Sequence, residues 1–316
     1  MRHEDRAVGA VLGSAVGDAL GAPFEFGLPG VFRERFADGA GEMCGGGGWE
    51  PGEATDDTQM AVLVGKSLLD RGGLDLPDVF ARFRRWALAD PKDIGLTTEA
   101  VLLGGDSWDL AAALHFQLNG RGAGNGSLMR AATSAVYYAA AGRAATMAAA
   151  RRIAALTHGD AAAWEGTALL HELVRVALLG EDPLAAVPAA LDEVAAAHRE
   201  RWAVVLAPDW RPEDATEFNG AVWPCLGSAV WALRTTSSFE AALAAAIDLG
   251  GDTDTVAAVT GILAGAVHGP DAIPARWTAA LHVPLPGFGD RVLRADDLRA
   301  LARSLARSGS DVVAQG

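Results

Sequence analysis

Along most of the chain apolar residues return every three or four positions, as at Met60, Leu63, Leu68 and Leu69, or at Leu169, Leu170, Leu173, Val174, Ala177 and Leu178. That is the spacing of a helix burying one face, whereas the alternating pattern of a strand is nearly absent. The periodicity predicts helices over 6–20, 57–71, 76–89, 96–104, 107–117, 126–141, 145–157, 161–179, 184–199, 221–233, 238–249, 253–267 and 295–307. Breakers separate them at Gly72-Gly73, Asp90-Pro91, Gly120 to Gly124, Asp182-Pro183, Pro208 to Pro212 and Gly269-Pro270. The expected fold is all-α, a single multi-helix domain over 1–306 with 307–316 as a flexible tail. One stretch resists this reading. Gly21 to Glu53, with Pro23, Pro29, Pro51 and the run Gly45 to Gly48, carries no periodic element, and a loop that long in a compact domain is functional or disordered.

Composition narrows the partners. A chain of 316 residues that is 50% hydrophobic can bury a large core. Its net charge of −14, with no Lys/Arg run, repels phosphate backbones and argues against a nucleic-acid partner. Cys44 and Cys225 are far apart and fit no metal-finger spacing or disulfide framework, so a cytoplasmic setting is expected. The N-terminal segment, with Gly9, Ser14, Gly17 and Asp18, is too polar for a signal peptide, and no unbroken apolar run reaches the ~18 residues of a membrane span. The expectation is therefore no membrane partner, with a monomer as the default.

Two acidic segments carry the candidate chemistry. Thr55-Asp56-Asp57 and Asp252-Thr253-Asp254-Thr255 each stand before a long apolar helix. Acidic residues in a first turn complement the helix dipole, so either segment alone reads as a cap. Together they offer four carboxylates and several hydroxyls, whose repulsion on meeting would call for cations. Oxygen-only ligands select Mg²⁺, Mn²⁺ or Ca²⁺ over zinc. By spacing and residue type, caps and metal ligands both remain open. Gly124-Asn125-Gly126-Ser127 reads as a Gly-rich helix start suited to phosphate or ribose oxygens.

These two clusters, with Gly17-Asp18-Ala19-Leu20-Gly21 and Glu25 upstream and Gly124 to Arg130 between them, resemble the ADP-ribosylglycohydrolase family from about Gly9 to His268. The resemblance implies an all-α hydrolase that cleaves the bond between ADP-ribose and an acceptor, using two Mg²⁺ ions or Mn²⁺. It implies metal ligation by Thr55, Asp56 and Asp57 from one side and by Asp252, Asp254 and Thr255 from the other. Glu25 and Asp56 become the candidate catalytic bases; Gly124, Asn125, Gly126 and Ser127 would line the ADP-ribose cleft, and His158 would contact the nucleotide. The partner implied is an ADP-ribose-bearing protein or small molecule, with arginine, serine, an ester or a nucleic-acid end as acceptor. Two rivals are a non-catalytic ADP-ribose binder, disfavoured by the complete ligand set, and a two-metal phosphoesterase, disfavoured by the lack of a basic clamp.

Overall fold

The structure is a computed structural model that describes residues 1–37, 41–105, 107–120 and 122–314. Among these residues lie sixteen helices. They are α1 (His3–Gly21), α2 (Val31–Arg35), α3 (Asp56–Arg71), α4 (Leu76–Ala87), α5 (Leu96–Leu103), α6 (Ala111–Asn119), α7 (Ala132–Tyr138) and α8 (Arg143–Ala154). There follow α9 (Ala161–Leu178), α10 (Val187–Leu191), α11 (Ala196–Val205), α12 (Val222–Thr235), α13 (Phe239–Ile247), α14 (Thr253–His268), α15 (Ala275–Ala280) and α16 (Ala295–Ala314). A minimal antiparallel pair, β1 (His282–Val283) with β2 (Leu293–Arg294), leads into α16. The all-α expectation holds.

The centre of the fold is the pairing of α1 with α14. Gly9, Gly13, Gly17 and Gly21 recur every fourth residue on one face of α1 and meet Gly265, Gly261, Ala257 and Thr253 in antiparallel order. A methyl group at Gly9 would stand 2.1 Å from the Gly265 carbonyl oxygen, and one at Gly17 the same distance from that of Ala257. The two backbones are thus in direct contact, as small residues at four-residue spacing permit. The stretch His3–Phe24 has the length and mean hydropathy, 1.4, of a membrane span, and nearly all of it is buried within the protein. Its Val, Leu and Ala residues raise the average although glycines and Ser14 interrupt them, and it serves as the core helix.

Around this pair the sequence rules apply locally. α4 buries Leu76, Val79, Phe80, Phe83 and Trp86 along one stripe. The Trp86 indole N–H donates to Gln59 Oε1 at 2.7 Å, tying α4 to the first turn of α3. One continuous core joins α1, α3, α4, α7, α9, α12, α14 and α16.

Several boundaries differ from the expectation. The helix expected over 184–199 splits into α10 and α11, because Arg199 turns its guanidinium onto the carbonyls of Asp192 (2.9 Å) and Val194 (3.0 Å) and Ala195 is extended. The helix expected from 126 begins only at Ala132, after a single 3₁₀ turn over Asn125–Ser127. The long loop contains α2, which seats Phe32 in the core. The helix α16 continues past Arg307, where the sequence reading begins a tail: Arg307 pairs with Glu4, and Gly309 packs on the Tyr137 carbonyl. Residues 315 and 316 lie outside the described residues.

Candidate active site

The α1–α14 contact determines where the acidic segments go. Near the end of α1, Asp18 is fully buried and accepts from the backbone N–H groups of Thr55 (3.0 and 3.1 Å) and Thr58 (3.1 Å), and from the Thr58 hydroxyl. A carboxylate of one helix thereby holds the first turn of another. Burial pushes the Asp18 carboxyl up to about 6, against the lowering effect of those donors. Thr55 is the N-cap, its hydroxyl oxygen accepting from Asp57 N–H at 3.3 Å.

The second segment is reached through a glycine pair in the left-handed region, Gly250 at φ 69° and Gly251 at φ 72°. Gly251 exchanges backbone hydrogen bonds with the turn after α1: Phe26 N–H donates to the Gly251 carbonyl (2.6 Å) and Gly251 N–H to that of Gly27 (3.0 Å). Asn219 supports the same strap, accepting from Asp252 N–H at 2.9 Å and donating to the Gly250 carbonyl at 2.8 Å. Asn125 donates its side-chain amide to Asp252 Oδ2 at 3.0 Å. The two acidic segments then meet, because the Thr255 hydroxyl donates to Asp57 Oδ1 at 3.3 Å.

What gathers here is a surplus of buried like charge. Carboxyl oxygens of Glu25, Asp252 and Asp254, one from each, lie within 4.8 Å of one another. Burial, and then the neighbouring carboxylates, hold Asp56, Asp57 and Asp254 well above the usual range and Glu25 at about 8. Asp252 is also raised by burial, in spite of its donors. Among the described residues Asp57 Oδ2 and Asp252 Oδ1 are buried without a hydrogen-bond partner. Such atoms are costly unless something positive satisfies them. An all-oxygen donor set with two unsatisfied carboxylate oxygens fits hard divalent cations.

The cluster forms one end of a cavity of about 530 Å³, a size typical of small-molecule sites. Glu25, Asp56, Asp57, Asp252, Asp254 and Thr255 line it, and Gly124, Asn125, Gly126 and His158 form part of its other walls. The His158 ring lies beneath the glycine loop; a methyl group at Gly126 would come within 3.2 Å of its Cε1. Arg130 Nη2 donates to the Thr157 hydroxyl (2.7 Å), which leaves that hydroxyl's proton for His158 Nδ1 at 2.8 Å. His158 is kept neutral, its pKa lowered to about 3 by burial and then by the charge on Arg130, with its N–H on Nε2.

The sequence model of the ADP-ribosylglycohydrolase family matches residues 1–312. The chain belongs to that family. Similar proteins include an ADP-ribosyl-[dinitrogen reductase] glycohydrolase of Rhodospirillum rubrum, 31% identical over 94% of this chain and 97% of that one. The ADP-ribosylarginine hydrolase Tri1 of Pseudomonas putida is 31% identical over 94% of this chain and 81% of that protein. A solved structure titled as an ADP-ribosylglycohydrolase-related protein complex superposes with a TM-score of 0.77 at 35% identity, covering 98% of this chain and 99% of the other. This family member is a hydrolase acting on the glycosidic bond of ADP-ribose conjugates.

Within the family frame, the structure brings Glu25, Asp56, Asp57, Asp252, Asp254, Thr255, Gly124, Asn125, Gly126 and His158 to one cavity. Two expected residues do not line it. Thr55 is fully buried as a cap, and Ser127 directs its hydroxyl to the Ala163 carbonyl at 3.3 Å. The helix-start argument at Gly124 to Ser127 also changes, since Asn125 N–H is already bonded to the Gly220 carbonyl. Sequence reasoning missed Asn219, Asp93, whose charge raises Asp56 and Glu25, and the anchoring role of Asp18. Asp93 follows an Asp-Pro breaker and carries no periodic signal. Asp18 lies in the segment Gly17-Asp18-Ala19-Leu20-Gly21, but its partner Thr55 is 37 residues away.

Proposed function

We propose that this hydrolase removes ADP-ribose from arginine side chains of proteins, with two divalent cations, Mg²⁺ or Mn²⁺, as cofactors. The observation that carries the reading is the cluster of Asp57, Asp252, Asp254 and Glu25 with two unpartnered carboxylate oxygens at one end of a nucleotide-sized cavity. Arginine as acceptor is supported by the activity named for the Pseudomonas putida relative. The ligands would be Asp56, Asp57, Asp252, Asp254 and Thr255; bound there, the cations would supply Lewis acidity and positive charge at the reacting sugar.

The chain's own residues supply the rest. Hydrolysis breaks the bond from the anomeric carbon to the guanidine nitrogen through an oxocarbenium-like transition state, adding water's hydroxyl to the carbon and a proton to the nitrogen. Glu25, whose carboxyl lies beside those of Asp252 and Asp254 in the cavity, is the group placed to move a proton at the reacting centre, and Asp56 is the second candidate. Asn125 and Asn219 fix Asp252 from its side chain and its backbone. The His158 Nε2–H faces the glycine loop as a neutral donor for a phosphate or ribose oxygen.

The test is release of free ADP-ribose from arginine-linked and serine-linked ADP-ribosyl peptides with Mg²⁺, Mn²⁺ or chelator, for wild type and Asp254→Ala, alongside thermal melts. Arginine-selective, metal-dependent release that Asp254→Ala loses is the expected result. In chelator Asp254→Ala should melt no lower than wild type, because it relieves buried like-charge repulsion, while Mn²⁺ at about 100 times its Kd should stabilise wild type by about 2.7 kcal/mol for each ion bound and leave the variant unmoved. Serine-selective release would overturn the acceptor assignment, and melting unaffected by either ion would overturn the metal site.

A further inference from the structure

A second and larger cavity, about 960 Å³, adjoins the first across the Gly250–Gly251 strap. Phe26 lines both and stands between them. Phe26 sits at φ 59° and is 74% exposed, immediately after Glu25. A left-handed angle at a bulky residue is strained, and such strain gathers at working sites. Across the strap Phe218 is 57% exposed, its ring packed on Gly251 and Gly220. The floor is apolar, with Pro212, Pro224 and Trp231.

The charges of this groove are not balanced. Asp248 is paired with Arg33 at 2.7 Å, and Glu217 is paired with Arg201. Glu213 is exposed and, among the described residues, pairs with no cation. Two open aromatic faces with a carboxylate at the rim are complementary to a guanidinium group, which stacks on rings and bonds to carboxylates.

We propose that this groove docks the arginine-bearing polypeptide segment that flanks the ADP-ribosylated residue, with Phe26, Phe218 and Glu213 as its recognition residues. The proposal rests on the arginine reading above and adds the surface that chooses among protein substrates. The modified side chain enters the acidic cavity past Phe26, while its neighbours lie over Phe218 and the proline-rich floor. Acidic charge on the rim draws such a segment in, and salt should weaken that attraction.

The experiment has two readouts for wild type, Phe218→Ala, Glu213→Gln and Glu213→Lys. The first is kcat/KM on an ADP-ribosyl-arginine peptide rich in further arginines, against free ADP-ribosyl-arginine. The second is fluorescence anisotropy of the same peptide, labelled but unmodified. The expected result is a loss of about tenfold on the peptide for Phe218→Ala and Glu213→Lys, less for Glu213→Gln, with free ADP-ribosyl-arginine within about twofold of wild type and anisotropy weakened in parallel. Equal losses on both substrates, or none on the peptide, would overturn the groove while leaving the activity intact. Peptide binding that the variants weaken in a protein unable to release ADP-ribose would uphold the groove and sink the arginine-hydrolase reading.

Discussion

Substituting Gly17 by alanine probes the contact on which the site depends. The added methyl carbon would stand 2.1 Å from the Ala257 carbonyl oxygen, 2.6 Å from its carbon and 3.0 Å from Ala258 N, all of them backbone atoms of α14. Ordinary contact begins near 3.4 Å, so relief requires the helices to part locally by about 1.3 Å, and neither helix has a side chain that can swing away. Overpacking of this kind costs about 3 kcal/mol, offset by about 1 kcal/mol from alanine's better helix propensity. A net loss near 2 kcal/mol lowers Tm by about 3 °C in a chain of this size. The assay is thermal unfolding followed by circular dichroism in chelator, with Gly73→Ala as control, since nothing lies within 4 Å of a methyl group there. The same displacement separates Asp18 from the start of α14, so Mn²⁺ should stabilise Gly17→Ala less than wild type. A Gly17→Ala protein that melts with wild type, or above it, would refute the claim that backbone contact holds α1 on α14.

Two further outcomes follow from the site and the core. Glu25→Ala should lower turnover by about 10²-fold or more while Mn²⁺ still raises the melting temperature; unchanged turnover would remove Glu25 from proton transfer. His171 is fully buried between the Ser134 hydroxyl and the Thr167 carbonyl, with its pKa lowered to about 4 by burial. Below about pH 6.5 the unfolded chain takes up a proton that the folded one refuses, so stability falls as pH drops from 6.5 towards 4, by about 3 kcal/mol in all. NMR titration of the His171 ring checks this, and a midpoint near 6.5 would contradict it.

The sequence by itself determined the helices and most of the residues that line the acidic cavity, because both are local. A 3.6-residue apolar period is written in neighbouring residues, and so are a threonine cap and two carboxylates in a first turn, which is why α3, α9 and α14 stand close to where the pattern puts them. Their number and order also carried the family resemblance. Only the tertiary structure decided that the two acidic segments meet. It did so through Asp18 reaching the N–H groups of Thr55 and Thr58, through Asn219 bonding Asp252 from 33 residues away, and through four glycines whose value lies in the helix opposite. Asp93 and the splitting of α10 from α11 were hidden for the same reason, since a charge's neighbours and a guanidinium's carbonyl partners are settled by packing and not by the spacing of a pattern.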